Sequence, residues 1–256
     1  MPDTPTWIAA LRHSHDRLAE VVTPLDESAV KGQSYDSDWS IADVASHLGS
    51  QAEIFGLILE AGLTGGPAPT GADFGPIWDV WNAKQPAEQV TDSLAADAAF
   101  LHRLEHTSRS ERDGFTVNAF GMDVDLPTLL SMRYAEHAIH TWDIAVALDP
   151  AALVAPQAVE LLVDRLETVA ARSGRPSEVA SPPLRVRTAE PAREVVVGVA
   201  PEVFVSEAEE FAEADIVLPA ESFVRLVYGR LDVDHTPSGI QGDERIPLLR
   251  TVFPGV

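Results

Sequence analysis

The sequence contains no cysteine among its 256 residues. This absence excludes disulfides, cysteine-ligated zinc, iron–sulfur clusters and cysteine nucleophiles. If the protein carries out thiol chemistry, the thiol must therefore come from a small molecule. Long apolar runs are missing too, since no stretch approaches the roughly 18 uninterrupted apolar residues that a membrane span needs. We therefore expect a soluble protein.

Positive charge is also scarce. Lysine and arginine together number 18 against 40 aspartates and glutamates, which gives a formal net charge of −22. Such a field repels phosphate backbones and anionic lipid headgroups, so nucleic acids and membrane surfaces are poor candidate partners. The first residues lack the basic start and apolar run of a signal peptide, and we expect a cytoplasmic location. The sequence does not indicate an oligomeric state.

The hydrophobic periodicity predicts that the first two thirds of the chain are helical. Apolar residues at helical spacing predict helices at about 5–22, 41–60, 86–107 and 127–148, and another from Pro156 to Gly174. A Gly/Pro-rich stretch at 62–76 predicts a loop between the second and third helices.

The pattern changes beyond a Pro/Ser-rich stretch at 176–183. β-Branched runs there predict short strands, followed by a helix that begins near Pro219 and a short helix near 243–252. We therefore predict two domains, an all-α helical bundle over 1–176 and a small α+β domain over 184–256.

A candidate metal site lies on the predicted helices. Glu136 and His140 are four residues apart, so both side chains lie on one helical face, which Asp143 continues. Two ligands on one helix and a third from a neighbour would make a three-ligand site with an open coordination position, as in catalytic zinc centres. His47 is the best third ligand, because it lies beside Leu48 on the apolar stripe of the helix that begins after Ser40.

Other interpretations of these histidines remain open at this point. His47 could be a core histidine that bonds to a backbone carbonyl, and Glu136 with His140 could be an ordinary surface pair. His102 and His106 also have helical spacing, but they lie in a charged stretch that is typical of a solvated helix face.

Two segments resemble a known family. Asp38-Trp-Ser-Ile-Ala-Asp-Val-Ala-Ser-His-Leu48 resembles the start of the second helix in the mycothiol-dependent maleylpyruvate isomerase family of DinB-like metalloenzymes. Arg133 to Asp143, with Glu-x-x-x-His followed by Thr-Trp-Asp, resembles the second metal segment of that family. The region from Ala214 to Arg230 is similar to the smaller C-terminal domain of the family, so the resemblance covers essentially the whole chain.

The resemblance implies a DinB-like helical bundle followed by a small sterol-carrier-like domain. It implies a divalent metal, most often zinc, at the positions matched by His47, Glu136 and His140. It also implies mycothiol as cosubstrate, with Arg230 binding the thiol or the substrate from the second domain. The alternative for Arg230 is an exposed arginine that follows a helix end.

These implications predict a thiol-dependent enzyme. A zinc-bound thiol is held as a thiolate at neutral pH, because the charge of the metal lowers the thiol pKa. Attack of this thiolate on an electrophile gives a maleylpyruvate cis–trans isomerase or a thiol S-transferase, and no other catalytic group is indicated. A metal-dependent hydrolase and a non-catalytic module that binds a small molecule remain as alternatives.

Overall fold

A computed structural model describes residues 2–179, 181–209 and 212–255. The chain divides into two compact units, one ending at Ala152 and the other beginning at Leu153. We call them the helical unit and the mixed unit. The change of pattern at 176–183 thus lies within the mixed unit, because the helices that precede it pack against the strands and helices that follow it.

The helical unit contains, among its described residues, four long helices, three shorter ones and a hairpin. The long helices are α1 (Thr4–Val22), α3 (Ile41–Thr64), α5 (Pro86–Glu105) and α7 (Leu126–Leu148). The other elements are α2 (Glu27–Val30), α4 (Gly71–Asn82), α6 (Arg109–Asp113), β1 (Val117–Ala119) and β2 (Met122–Val124).

The long helices confirm the four helices predicted from periodicity. Helix α3 packs against α5 and α7, and α1 packs against the same two helices. None of the described helices is both long and apolar enough to cross a membrane.

Helix α3 begins with a capping box. The Asp43 amide donates to Ser40 Oγ at 3.2 Å, and the Ser40 amide donates to Asp43 Oδ2 at 2.9 Å. Trp39, just before the cap, packs on a core cluster that includes Val44. A cap of this kind stabilises a helix by about 1 kcal/mol and defines where it begins. It thereby sets which face of α3 His47 occupies.

The loop predicted at 62–76 is wrong at both ends, because α3 extends to Thr64 and α4 begins at Gly71. The sequence signal was a second capping box, in which the Thr70 amide donates to Asp73 Oδ2 at 2.7 Å. Helix α4 approaches α3 closely. A Cβ added to Gly49 would lie 2.2 Å from the Trp81 ring, so the indole occupies the space of a missing side chain.

The mixed unit combines short helices with one sheet. Its elements are α8 (Pro156–Leu162), a 3-10 turn (Val163–Arg165), α9 (Leu166–Ser173), β3 (Leu184–Ala189), β4 (Arg193–Gly198), β5 (Phe204–Glu207), β6 (Ile216–Pro219), α10 (Ala220–Val227), a second 3-10 turn (Asp243–Arg245) and α11 (Ile246–Val252). The predicted helix from Pro156 to Gly174 is therefore interrupted by a 3-10 turn.

The sheet of the mixed unit has the order β5-β4-β3-β6 among the described strands. Strands β3, β4 and β5 pair antiparallel, whereas β6 pairs parallel to β3. The predicted fold class is thus confirmed at the level of a mostly helical part followed by a small region with a sheet.

Candidate metal centre

The three predicted ligands converge on one point in the helical unit. His47 comes from α3, and Glu136 and His140 come from α7. Glu136 Oε2 lies 3.4 Å from His47 Nε2 and 3.7 Å from His140 Nε2. The three ligand atoms all lie within 4.8 Å of one another. One divalent ion could therefore contact all three.

A buried carboxylate fixes the orientation of His140. Asp143 Oδ2 lies 2.9 Å from His140 Nδ1, and the Asp143 side chain is fully buried. A carboxylate on one ring nitrogen holds the imidazole with its other nitrogen available as a ligand. Asp143, which the sequence placed on the same helical face, thus directs His140 Nε2 toward Glu136.

An indole ring flanks both histidines. The Trp39 ring centroid lies 5.1 Å from that of His47 and 6.1 Å from that of His140, with the second pair nearly parallel. The two imidazoles lie 4.7 Å apart in an edge-on arrangement. Trp39 belongs to the segment 38–48 that resembles the family, but the sequence assigned it no role in the site. Its place beside the ligands was missed, because it depends on how α7 packs against that start.

The electrostatics favour the protonation states that bind metals. Burial alone would raise the pKa of the Glu136 carboxyl, but the hydrogen bond from His47 and the positive charges nearby lower it to about 2. Burial lowers the pKa of the His47 imidazole. At neutral pH the site therefore presents a carboxylate and a neutral imidazole, which are the ligating forms.

The chemistry of the donor set fits a divalent ion. Two imidazole nitrogens and one carboxylate oxygen are a ligand set used for catalytic zinc, which keeps a further coordination position open. The Glu136 side chain is 42% exposed, whereas those of His47 and His140 are 21% and 13% exposed. The site is thus open on the side of its carboxylate.

Substitution of Asp143 tests the support of His140. We expect Asp143→Asn to weaken zinc binding by about 10- to 100-fold, the usual cost of losing a carboxylate that holds a ligating histidine. The measurement is competition for zinc with a chelator at fixed pH. Asp125→Asn, which changes the cap at the far end of α7, is the control. Equal zinc affinity in Asp143→Asn and Asp125→Asn would contradict the prediction.

The structure also places the other histidine pair and Arg230. His102 of α5 and His106, the C-cap residue of that helix, are exposed with ring centroids 4.1 Å apart, in keeping with a solvated face. Arg230 is only 6% exposed, and its Nη1 donates to the Tyr228 carbonyl at 2.8 Å. Gly229, with φ +73°, follows Tyr228, the C-cap residue of the preceding helix. The alternative of an exposed arginine is therefore wrong.

Sequence reasoning missed a buried polar cluster in the helical unit. Asp97 of α5 accepts from Arg133 of α7 at 2.8 Å, and its other oxygen lies 2.9 Å from His15 and 3.2 Å from His137. Burial would raise the pKa of the Asp97 carboxyl, but His137 and Arg133 hold it well below its usual range. These contacts join residues that are 36 to 82 positions apart, so local spacing in the sequence does not predict them.

Comparison with known proteins places the chain in a family. A family model described as the N-terminal domain of mycothiol maleylpyruvate isomerase matches residues 11–145, which include all three candidate ligands. The chain belongs to this family. The family match thus confirms the resemblance noted in the sequence, and it covers α3 and most of α7, the two helices that form the site.

Two solved structures are similar to the chain over 90% of its length and 90% of theirs, each with a TM-score of 0.65. One is a mycothiol-dependent maleylpyruvate isomerase, at 15% identity, and the other is a histidine-to-alanine mutant of such an enzyme, at 14% identity. At these identities the likeness shows the fold. A search of curated protein sequences finds no match.

Proposed function

We propose that this protein is a metal-dependent enzyme that uses a low-molecular-weight thiol as its nucleophile. The observation that carries the proposal is the convergence of His47, Glu136 and His140 within 4.8 Å. Membership in the mycothiol maleylpyruvate isomerase family supports mycothiol as the thiol. The absence of cysteine supports an external thiol, because the chain has none of its own.

His47, Glu136 and His140 would hold the ion, for which zinc is the best candidate on ligand chemistry. A divalent ion at this position supplies positive charge that favours the thiolate form of a thiol at neutral pH. Asp143 keeps His140 oriented, and the Trp39 ring forms a flat apolar wall beside the two imidazoles. The exposed side of Glu136 leaves a path for thiol and substrate.

The reaction that fits best is cis–trans isomerisation of maleylpyruvate. A thiolate that adds to the activated double bond forms a carbon–sulfur bond and leaves a carbon–carbon single bond free to rotate. Elimination of the thiolate then restores the double bond in its trans form and regenerates the thiol. If the adduct is released instead, the same site is a thiol S-transferase.

Product analysis tests the proposal and separates the two reactions. Maleylpyruvate incubated with the zinc-loaded protein and mycothiol should give the trans isomer, and NMR follows its formation. A stable thiol adduct in the mass spectrum would assign the transferase. Hydrolytic products formed without thiol would instead favour a metal-dependent hydrolase.

Arg230 is the proposed binding residue for a carboxylate of the thiol or substrate. In a chain with a net charge of −22, an anionic ligand needs a local cation. A guanidinium binds a carboxylate through bidentate hydrogen bonds that lysine does not reproduce. The sterol-carrier-like fold proposed for the mixed unit, which contains Arg230, is supported by its four-stranded sheet with helices. A cytoplasmic location belongs to the same proposal.

Conservative substitution tests this role. We expect Arg230→Lys to keep the fold and the metal content. It should lower kcat/KM, or raise the KM for thiol, by a factor equivalent to about 1–3 kcal/mol of free energy. Steady-state kinetics with metal content checked gives the answer. Arg250→Lys, which changes another arginine of the mixed unit that bonds to backbone carbonyls, is the matched control. Wild-type kinetics for Arg230→Lys would remove this arginine from the mechanism.

A further inference from the structure

One buried side chain connects the two helices that carry the candidate ligands. Arg133 lies on α7 three residues before Glu136, and its guanidinium is fully buried. Its Nη2 donates to Asp97 Oδ1 at 2.8 Å and to the backbone carbonyl of Leu48 at 3.1 Å. Leu48 directly follows His47 on α3. The hydrogen bond therefore ties α7 to α3 next to the ligand that α3 supplies.

The hydrogen bonding of the Arg133 guanidinium is incomplete, which does not favour a role in stability alone. Its Nε and Nη1 have no hydrogen-bond partner among the described residues. Burial of a charged group costs free energy, which is recovered only when its donors are well paired. An apolar side chain of similar size would fill this space at lower cost. In some proteins, buried polar groups of this kind specify one arrangement of the elements that they join.

The cluster around Arg133 has the connectivity of a serine–histidine–aspartate triad. Ser14 Oγ lies 2.8 Å from His137 Nδ1, and His137 Nε2 lies 3.2 Å from Asp97. These three residues are at most 5% exposed. A substrate has no access to a hydroxyl buried in this way, so the cluster does not act as a nucleophilic site. Its contacts with α1, α3, α5 and α7 instead fix helices relative to one another.

We propose that Arg133, paired with Asp97, is a positioning residue that sets the relative placement of His47 and Glu136. The inference rests on the metal centre of the proposed function and adds a residue that does not contact the ion. The carbonyl of Leu48 is a fixed point on α3, and the stem of Arg133 is a fixed point on α7. Loss of the link allows α3 and α7 to shift, and small shifts of ligands weaken metal binding.

The test uses a variant that avoids an unpaired buried charge. Arg133→Met alone would leave the Asp97 carboxylate without its cation and risks failure to fold. The double variant Arg133→Met/Asp97→Asn removes both charges, and the new amide oxygen can still accept from His15 Nδ1. The control is His15→Leu, which removes one contact to Asp97 from α1, a helix without candidate ligands.

Zinc affinity, by competition with a chelator, is measured beside the thermal midpoint of each variant. The absorption spectrum of the cobalt-loaded protein reports the ligand geometry. We expect about 10- to 100-fold weaker zinc binding and an altered cobalt spectrum in the double variant. His15→Leu should bind zinc with wild-type affinity even where its thermal midpoint is equally low.

Two outcomes would overturn the role of Arg133 while the metal centre stands. In the first, the double variant has the zinc affinity and the cobalt spectrum of the wild type. In the second, zinc affinity falls in proportion to the thermal midpoint, to the same extent in the double variant and in His15→Leu. A wild-type protein that binds zinc no better than His140→Ala would overturn the metal centre itself, and the positioning role with it.

Discussion

Replacement of His140 by alanine should remove most of the bound metal and the activity that depends on it. Substitutions that merely disturb the support of a ligating histidine cost about 10- to 100-fold in affinity, so removal of the ligand itself should cost at least about 100-fold. The fold should persist, because the His140 side chain is at the open site and not in the apolar core. Elemental analysis of the wild type and His140→Ala gives the measurement.

The chain contains a matched control for this substitution. His102 also has a histidine partner at helical spacing, but it lies exposed on α5. Exposed histidine pairs can bind zinc weakly, so His102→Ala measures that contribution. About one equivalent of zinc should remain in His102→Ala and be largely lost in His140→Ala. Equal metal retention in the two variants would refute the site.

Omission of the thiol should reduce turnover of maleylpyruvate to the uncatalysed rate. The physical reason is that the chain has no cysteine, so it can supply no thiolate of its own. Addition of mycothiol should restore turnover, because the thiolate is the nucleophile that makes rotation about the double bond possible. The measurement is the rate of isomerisation with zinc-loaded protein at saturating, limiting and zero thiol.

Thiols also react with activated double bonds without an enzyme, so the rate of this background reaction must be measured as a control. The same mixtures with His140→Ala give that background rate. A comparable rate of isomerisation with and without thiol would contradict the proposal, and hydrolytic products formed without thiol would favour a hydrolase. If the fully metal-loaded protein turned over no electrophile at any thiol concentration, the non-catalytic binding module would be favoured instead.

The candidate ligands could be predicted from sequence because their signals are local. Four-residue spacing places Glu136 and His140 on one face whatever the rest of the fold does. The capping box at Ser40 defines the start of α3 and therefore the face that carries His47. The resemblance to the family added the pairing between the two helices, which periodicity alone does not provide.

The parts that were missed depend on contacts distant in sequence. His137 follows Glu136 directly, yet its partners Asp97 and Ser14 lie on other helices. Helical spacing shows which residues share a face but not which neighbouring helix supplies the contact. The division of the chain at Ala152 was missed for a similar reason, because the helices after it are ordinary amphipathic segments that show no preference for a sheet.

The contact between Gly49 and Trp81 has a consequence for how sequences in this family can vary. The indole fills the volume that any side chain at position 49 would need, so the two positions share one space. A methyl group at position 49 with tryptophan kept at 81 should overpack the contact, at a cost of about 1–3 kcal/mol. Relatives with a side chain at the first position should therefore carry a smaller residue at the second, and the two should change together. Such correlated exchange would keep α4 packed against α3 and leave every candidate ligand unchanged.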